Sequence, residues 1–219
     1  MRAAAIAGLI LLLSGAANAA GISPNIKLPT DGDDYSALVA RAAAHDESVD
    51  FRALRVAYLK SAARRRAGAA YDAMKQLNAD LGAALKAEDA PVIRDKAEQI
   101  LSLDFTDMWA HKLLRQSCAI LHDDACADLH HFLEFGLLRS ITGTGDGKTC
   151  ATGWEATQVK EEYVMLAMLG LRFTQQALIS DGGHACDAMS VVDENGAAQT
   201  YYFNIDVMMA DEAAALTPK

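Results

Sequence analysis

The sequence predicts an α+β protein, with N-terminal helical hairpins packed on a small, mainly antiparallel C-terminal β-sheet that carries one helix. Three observations predict it. Apolar residues recur at spacings of three and four from Asp33 to about residue 138. Four glycines, Gly143, Gly145, Gly147 and Gly153, then interrupt that period. Beyond them, alternating segments flank Asn195-Gly196, a dipeptide suited to a hairpin turn.

The helical region, 33–138, begins where Asp34 can cap a helix carrying Tyr35, Leu38, Val39 and Ala42. A second helix from about Asp50 places Phe51, Leu54, Tyr58 and Leu59 on one face. Arg64-Arg65-Arg66 reads as a solvated loop or helix start. Further helices are predicted near 70–87, 90–103, 107–121 and 124–138. Tyr71, Met74, Leu77, Leu81 and Leu85 line one of them, and Trp109, Leu113, Leu114, Ala119 and Ile120 line another. These four fall into two pairs starting about 35 residues apart, which resembles tetratricopeptide-type repeats, although the consensus residues of that repeat are largely missing.

The region 139–206 is predicted as a glycine-rich connector followed by a small sheet. Its elements are a strand from Trp154 to Val159, a helix from Glu161 to Leu169 stopped by Gly170, and strands over Phe173–Ile179, His184–Val192 and Gln199–Asp206. The tail, 207–219, reads as frayed or weakly helical.

The N-terminus suggests where the protein works. Met1-Arg2, an apolar run from Ala3 to Leu13 and Ala17-Asn18-Ala19 form the three parts of a secretory signal peptide, 1–19, so a periplasmic or secreted protein is expected. Residues 20–32, with Pro24, Pro29 and Gly32, read as a flexible tether. The net charge of −9 argues against nonspecific nucleic-acid binding. No second apolar stretch approaches the roughly 20 residues of a membrane span, so none is expected after leader removal.

Four cysteines in an oxidising compartment suggest two disulfides. Cys118 and Cys126 flank a predicted helix-to-helix turn and are expected to pair. Cys150 and Cys186 then pair by default, fastening the connector to a strand.

Catalytic motifs are absent. Gly143–Thr149 has three residues, not four, between its first glycine and Gly147-Lys148, so it fails as a phosphate loop. His122, Cys126 and His130 would offer a metal-binding edge only on one continuous helix, and a turn is predicted there; no metal or cofactor is expected. Glu161 and Glu162 diverge by about 100° on a helix, and His184 and Asp187 face opposite sides of a strand. The polar candidates His130, Asp146, Lys148, Glu162 and His184 cluster in sequence where helices and sheet should meet, and are the candidate binding residues.

Two blocks carry a family resemblance. One is Asp50-Phe51-Arg52-Ala53-Leu54-Arg55-Val56-Ala57-Tyr58. The other runs from His130 through Gly136–Ile141, Gly145–Lys148, Glu161-Glu162-Tyr163, Gly183-His184, Asp187 and Tyr202–Ile205. Together they resemble the bacterial domain-of-unknown-function 4919 family of secreted proteins, over roughly residues 33–206. The chain departs from the pattern at Cys186, where Tyr is expected, and at Asn204, where Asp is expected. The family implies no activity. The leading expectation is therefore an exported binding or interaction module with a protein or peptide partner in the cell envelope. The alternative is a hydrolase or metal-dependent enzyme with its site at the helical/sheet junction.

Overall fold

A computed structural model describes residues 21–216; the expected leader and the last three residues lie outside them. The helices are α1 (Asp34–Ala43), α2 (Phe51–Lys60), α3 (Ala62–Ala69), α4 (Tyr71–Lys86), α5 (Ala90–Leu103), α6 (Met108–Ile120), α7 (Asp124–Thr142), α8 (Val159–Met168) and α9 (Asp206–Leu216). The strands are β1 (Trp154–Glu155), β2 (Arg172–Asp181), β3 (His184–Val192) and β4 (Ala198–Asn204). The architecture is α+β, as the periodicity predicts.

Aspartates start most of these helices. Asp33, Asp50, Asp89, Asp107 and Asp123 each accept a hydrogen bond from a backbone N–H of the first turn, satisfying a donor the helix itself leaves unpaired. The α1 cap is thus Asp33, one residue before the expected Asp34. Ser61 closes α2 and caps α3, which places the Arg64–Arg66 run on a helix of its own. The segment before α1, expected as a tether, lies against α5: Ile26 is buried, and the Lys27 N–H donates to Ser102 Oγ at 2.9 Å.

Successive helices α4 to α7 pack on one another. The apolar core runs from Val39, Leu54 and Tyr58 through Leu101, Leu114, Leu133 and Leu137 to Met165 and Phe203 under the sheet. Helix α7 continues to Thr142, past Gly136 and beyond the predicted end at 138. Gly136 sits inside the helix, where a Cβ would overlap the Phe51 ring. The glycine lets α2 approach α7 closely.

The sheet is mixed, in the order β1-β4-β3-β2. Strands β2, β3 and β4 form an antiparallel meander, with the Asn195-Gly196 turn between the last two and Gly196 at φ +82°. Strand β1 is only two residues long and runs parallel to β4, so the strand expected over 154–159 is mostly loop and the start of α8. At its far end β4 stops at Asn204, and α9 takes over at Asp206.

Both cysteine pairs stand at bonding distance. Cys118 joins Cys126, with Cα atoms 5.8 Å apart, and Cys150 joins Cys186, with Cα atoms 5.7 Å apart. Their separations of 8 and 36 residues correspond to about 2.5 and about 4 kcal/mol of loop-closure entropy removed from the unfolded chain. Such bonds persist in an oxidising compartment. Among the described residues, no helix is long and apolar enough to cross a membrane.

Candidate functional site

Four consecutive residues of α8 point in four directions, because each step turns the side chain by about 100°. Each meets a different part of the molecule. Lys160 Nζ donates to Asp104 Oδ2 at 2.6 Å and to Asp107 Oδ2 at 2.7 Å, on the loop between α5 and α6. Asp104 also accepts from the Thr106 hydroxyl, which in turn accepts from the Gln158 amide. Burial works against the Lys160 ammonium, but the two carboxylates override it and hold its pKa well above the ordinary range. A cavity of about 220 Å³ opens beside this cluster, lined by Asn78, Asp107, Trp109 and Lys160 among others.

Glu161 points the other way, into a fully buried ion pair with Arg55 of α2. Arg55 Nε and Nη2 donate to the two carboxylate oxygens at 2.9 and 2.8 Å, and the Thr157 N–H and hydroxyl complete the shell at 2.8 and 3.0 Å. Arg55 has three further acceptors, the carbonyls of Ser140 and Glu155 and the Ser140 hydroxyl. Burial raises the Glu161 pKa, but the guanidinium charge more than cancels that, so its carboxyl lies below the usual value. One charge pair therefore ties α2, the end of α7, β1 and α8 together.

Glu162 is the exception. It is buried, and neither carboxyl oxygen has a hydrogen-bond partner. Asp187 of β3 is its charged neighbour. Burial first, then repulsion from Asp187, pushes its pKa up to about 9, so Glu162 is a neutral acid at pH 7. Tyr163 completes the set: its hydroxyl donates to Gln176 Oε1 of β2 at 3.0 Å.

The other sequence candidates lie elsewhere. His130 is buried in the α6–α7 hairpin, with its Nδ1 2.9 Å from His111 Nδ1, while His111 Nε2 lies 2.9 Å from the Phe105 carbonyl. That carbonyl can only accept, which fixes a chain in which His130 donates to His111 and His111 donates to Phe105. Burial lowers both rings, His111 to about 4 and His130, with its neighbour's help, to about 2. Both are neutral at pH 7. Asp146 and Lys148 sit in the connector, where Asp146 Oδ1 accepts from the Lys148 N–H at 3.0 Å and the Thr152 hydroxyl at 2.6 Å. The Trp154 ring closes over Gly147, which sits at φ +69°. His184 stands at the end of β3, 2.7 Å from Asp206, and Asn204 donates to the same carboxylate at 3.2 Å. Of the five candidates, only Asp146 and Lys148 share a hydrogen bond.

Cys118, Cys126 and Asp123 come together in a geometry that could hold a metal. Both sulfurs are spent on each other, however, and Asp123 caps α7 and pairs with Arg94.

A second feature lies on the helical region. Helices α4, α5 and α6 enclose an open groove of about 620 Å³, lined by Leu85, Glu88, Ile93, Leu113, Arg115 and Ile120. Ile120 is 65% exposed and Leu85 37%. Arg115 at its edge is held by Glu134 at 2.6 Å.

Sequence reasoning missed Arg55, Lys160, Asp104, Asp107 and His111. The signal for Arg55 was present: it falls on the apolar stripe between Leu54 and Tyr58, a position that demands a buried carboxylate partner. Lys160 carried no such mark.

A family model described as "Domain of unknown function (DUF4919)" matches residues 23–213. Comparison with curated proteins and with solved structures gives no match.

Proposed function

The chain belongs to the DUF4919 family, and because that description assigns no activity, we propose a function from geometry: an exported, disulfide-braced binding module that takes an apolar peptide segment of an envelope protein in the α4–α6 groove. The exposed apolar side chains of Ile120 and Leu85 lining a concavity carry this reading. Isolated exposed apolar residues are ordinary, but several sharing one groove mark a place for a partner's side chains. Export is supported by the leader pattern and by two cysteine pairs at bonding distance. The enzyme reading has less support. Lys160, Glu161, Asp104 and Asp107 already spend their polar atoms on one another or on Arg55, which leaves little at the junction to act on a substrate.

Selection from a displayed peptide library tests the groove. Selected peptides should carry bulky apolar anchors and lose about tenfold or more in affinity, about 1.4 kcal/mol, on Ile120→Asp. That residue is exposed enough for the variant to fold. Failure to select any peptide, or peptides indifferent to Ile120→Asp, would overturn the proposal.

A further inference from the structure

The sheet has two very unequal edges. At one, β1 contributes only two residues and is followed at once by the turn into α8. At the other, β2 runs for ten residues and pairs only with β3. Its sequence, Arg172-Phe-Thr-Gln-Gln-Ala-Leu-Ile-Ser-Asp181, contains no lysine and no proline, the usual devices that keep an open edge from pairing. A single irregularity falls between Phe173 and Gln175, where the Thr174 hydroxyl donates to the Ser190 carbonyl. From Thr174 to Leu178 the strand is exposed throughout, and Leu178 is 64% exposed. Beyond that irregularity near its start, such an edge presents a row of backbone donors and acceptors to a further strand.

The charges choose the occupant. The only charged residues of β2 are its first, Arg172, and its last, Asp181. Among the described residues neither has a side-chain hydrogen-bond or ion-pair partner, and both are exposed. A second copy laid antiparallel along the edge sets the Arg172 end of each strand beside the Asp181 end of the other. The attractive contact is thereby made twice. A parallel arrangement would set like charges together, which is unfavourable. The uncharged middle, including Ala177 and Leu178, then covers itself across the two-fold axis.

We infer that two copies of this chain associate through the outer edges of β2, antiparallel, to give one continuous eight-stranded sheet. This association is isologous and closes on itself, so it stops at a dimer. The opposed ends set the direction of pairing, and Leu178 supplies apolar contact at its centre.

Sedimentation velocity of the purified protein across a concentration series tests this. The wild type should show a concentration-dependent dimer that weakens with salt. Leu178→Lys, which installs a lysine on the edge, should raise the dimer dissociation constant about tenfold or more. Arg172→Asp and Asp181→Arg should each weaken it, and the double variant should return towards wild type, because the opposed charges are restored with their signs exchanged. That rescue keeps the test sound even if Leu178→Lys perturbs the fold. A monomer at every concentration would overturn the inference and leave the edge to a different protein. So would a dimer indifferent to Leu178→Lys, or a double variant no tighter than the singles.

Discussion

Helices α4 to α7 and the surroundings of α8 are both packed cores, yet they handle charge differently. Among the helices, Arg94 meets Glu98 and Asp123, and Arg115 meets Glu134, with each arginine side chain 28–30% exposed. The guanidinium reaches water even where its carboxylate does not. Around α8, Arg55 and Glu161 are both out of water, and Glu162 is buried with no hydrogen-bond partner. In the first region apolar packing holds the elements together and charge decorates it. In the second, one helix is located by what its charged side chains find. A wet pair can lose a member and let water in, whereas a dry pair leaves an uncompensated charge.

The largest effect expected from that difference is at Arg55. Arg55→Ala should destabilise the fold by about 3–5 kcal/mol, since it strands the Glu161 carboxylate and two carbonyls. Arg94→Ala should cost only about 1 kcal/mol, because Glu98 keeps the Asn25 amide at 2.9 Å. Replacing both members, as Arg55→Met with Glu161→Leu, should recover much of the loss, although the Thr157 donors go unpaired. Denaturant titration of the four proteins measures this. Equal losses for Arg55→Ala and Arg94→Ala would erase the distinction between the regions.

Glu162 comes next. In the folded protein it holds its proton up to about pH 9, while in the unfolded chain it releases it near 4.5. The folded state therefore binds the extra proton between those values, and stability falls as pH rises through the window. Glu162→Gln keeps the shape, carries no titrating proton, and removes this dependence. Wild type and variant should have similar stability near pH 4.5, and the variant should be the more stable by roughly 2–4 kcal/mol at pH 7.5. Urea midpoints collected from pH 4.5 to 9 decide it. Parallel curves for the two proteins would mean that Glu162 does not carry a raised pKa.

The same contrast explains what the sequence made legible. Helical periodicity, aspartate starts and the hairpin turn are local signals, so the helices, the β3–β4 hairpin and the α+β class follow from them. The Cys118–Cys126 pair is also local, across one turn. Arg55 and Glu161 are 106 residues apart, and nothing in either neighbourhood names the other. Glu162 was singled out for its charge, but its lack of a partner is a property of packing. His130 was considered for a metal, whereas its neighbour His111, 19 residues earlier, sat unnoticed on an apolar helix face. Gly136 carries no local mark of its role either, because a glycine needed to admit the Phe51 ring and a glycine that ends a helix are the same letter.

The smallest test asks whether a single residue type behaves differently in the two settings. Asp89 and Asp107 are both N-caps, accepting from Val92 N–H at 3.1 Å and Ala110 N–H at 2.9 Å. Asp89 does nothing further, so Asp89→Ala should cost about 1 kcal/mol. Asp107 also holds Lys160, and although burial opposes its charge, that ammonium keeps its pKa below the usual value. Asp107→Ala should therefore cost about 1 kcal/mol for the cap and a further few tenths to about 1 kcal/mol for the ion pair, a discount set by the 37% exposure of the Lys160 side chain. Asp107→Asn separates the two parts, since asparagine caps as well as aspartate but carries no charge. Its stability should fall between wild type and Asp107→Ala, and the gap from wild type should close below pH 4 as the wild-type carboxylate is protonated. If Asp107→Asn instead matches wild type at neutral pH, the Lys160–Asp107 pair adds nothing to the anchoring of α8, and Lys160 holds that helix only through Asp104.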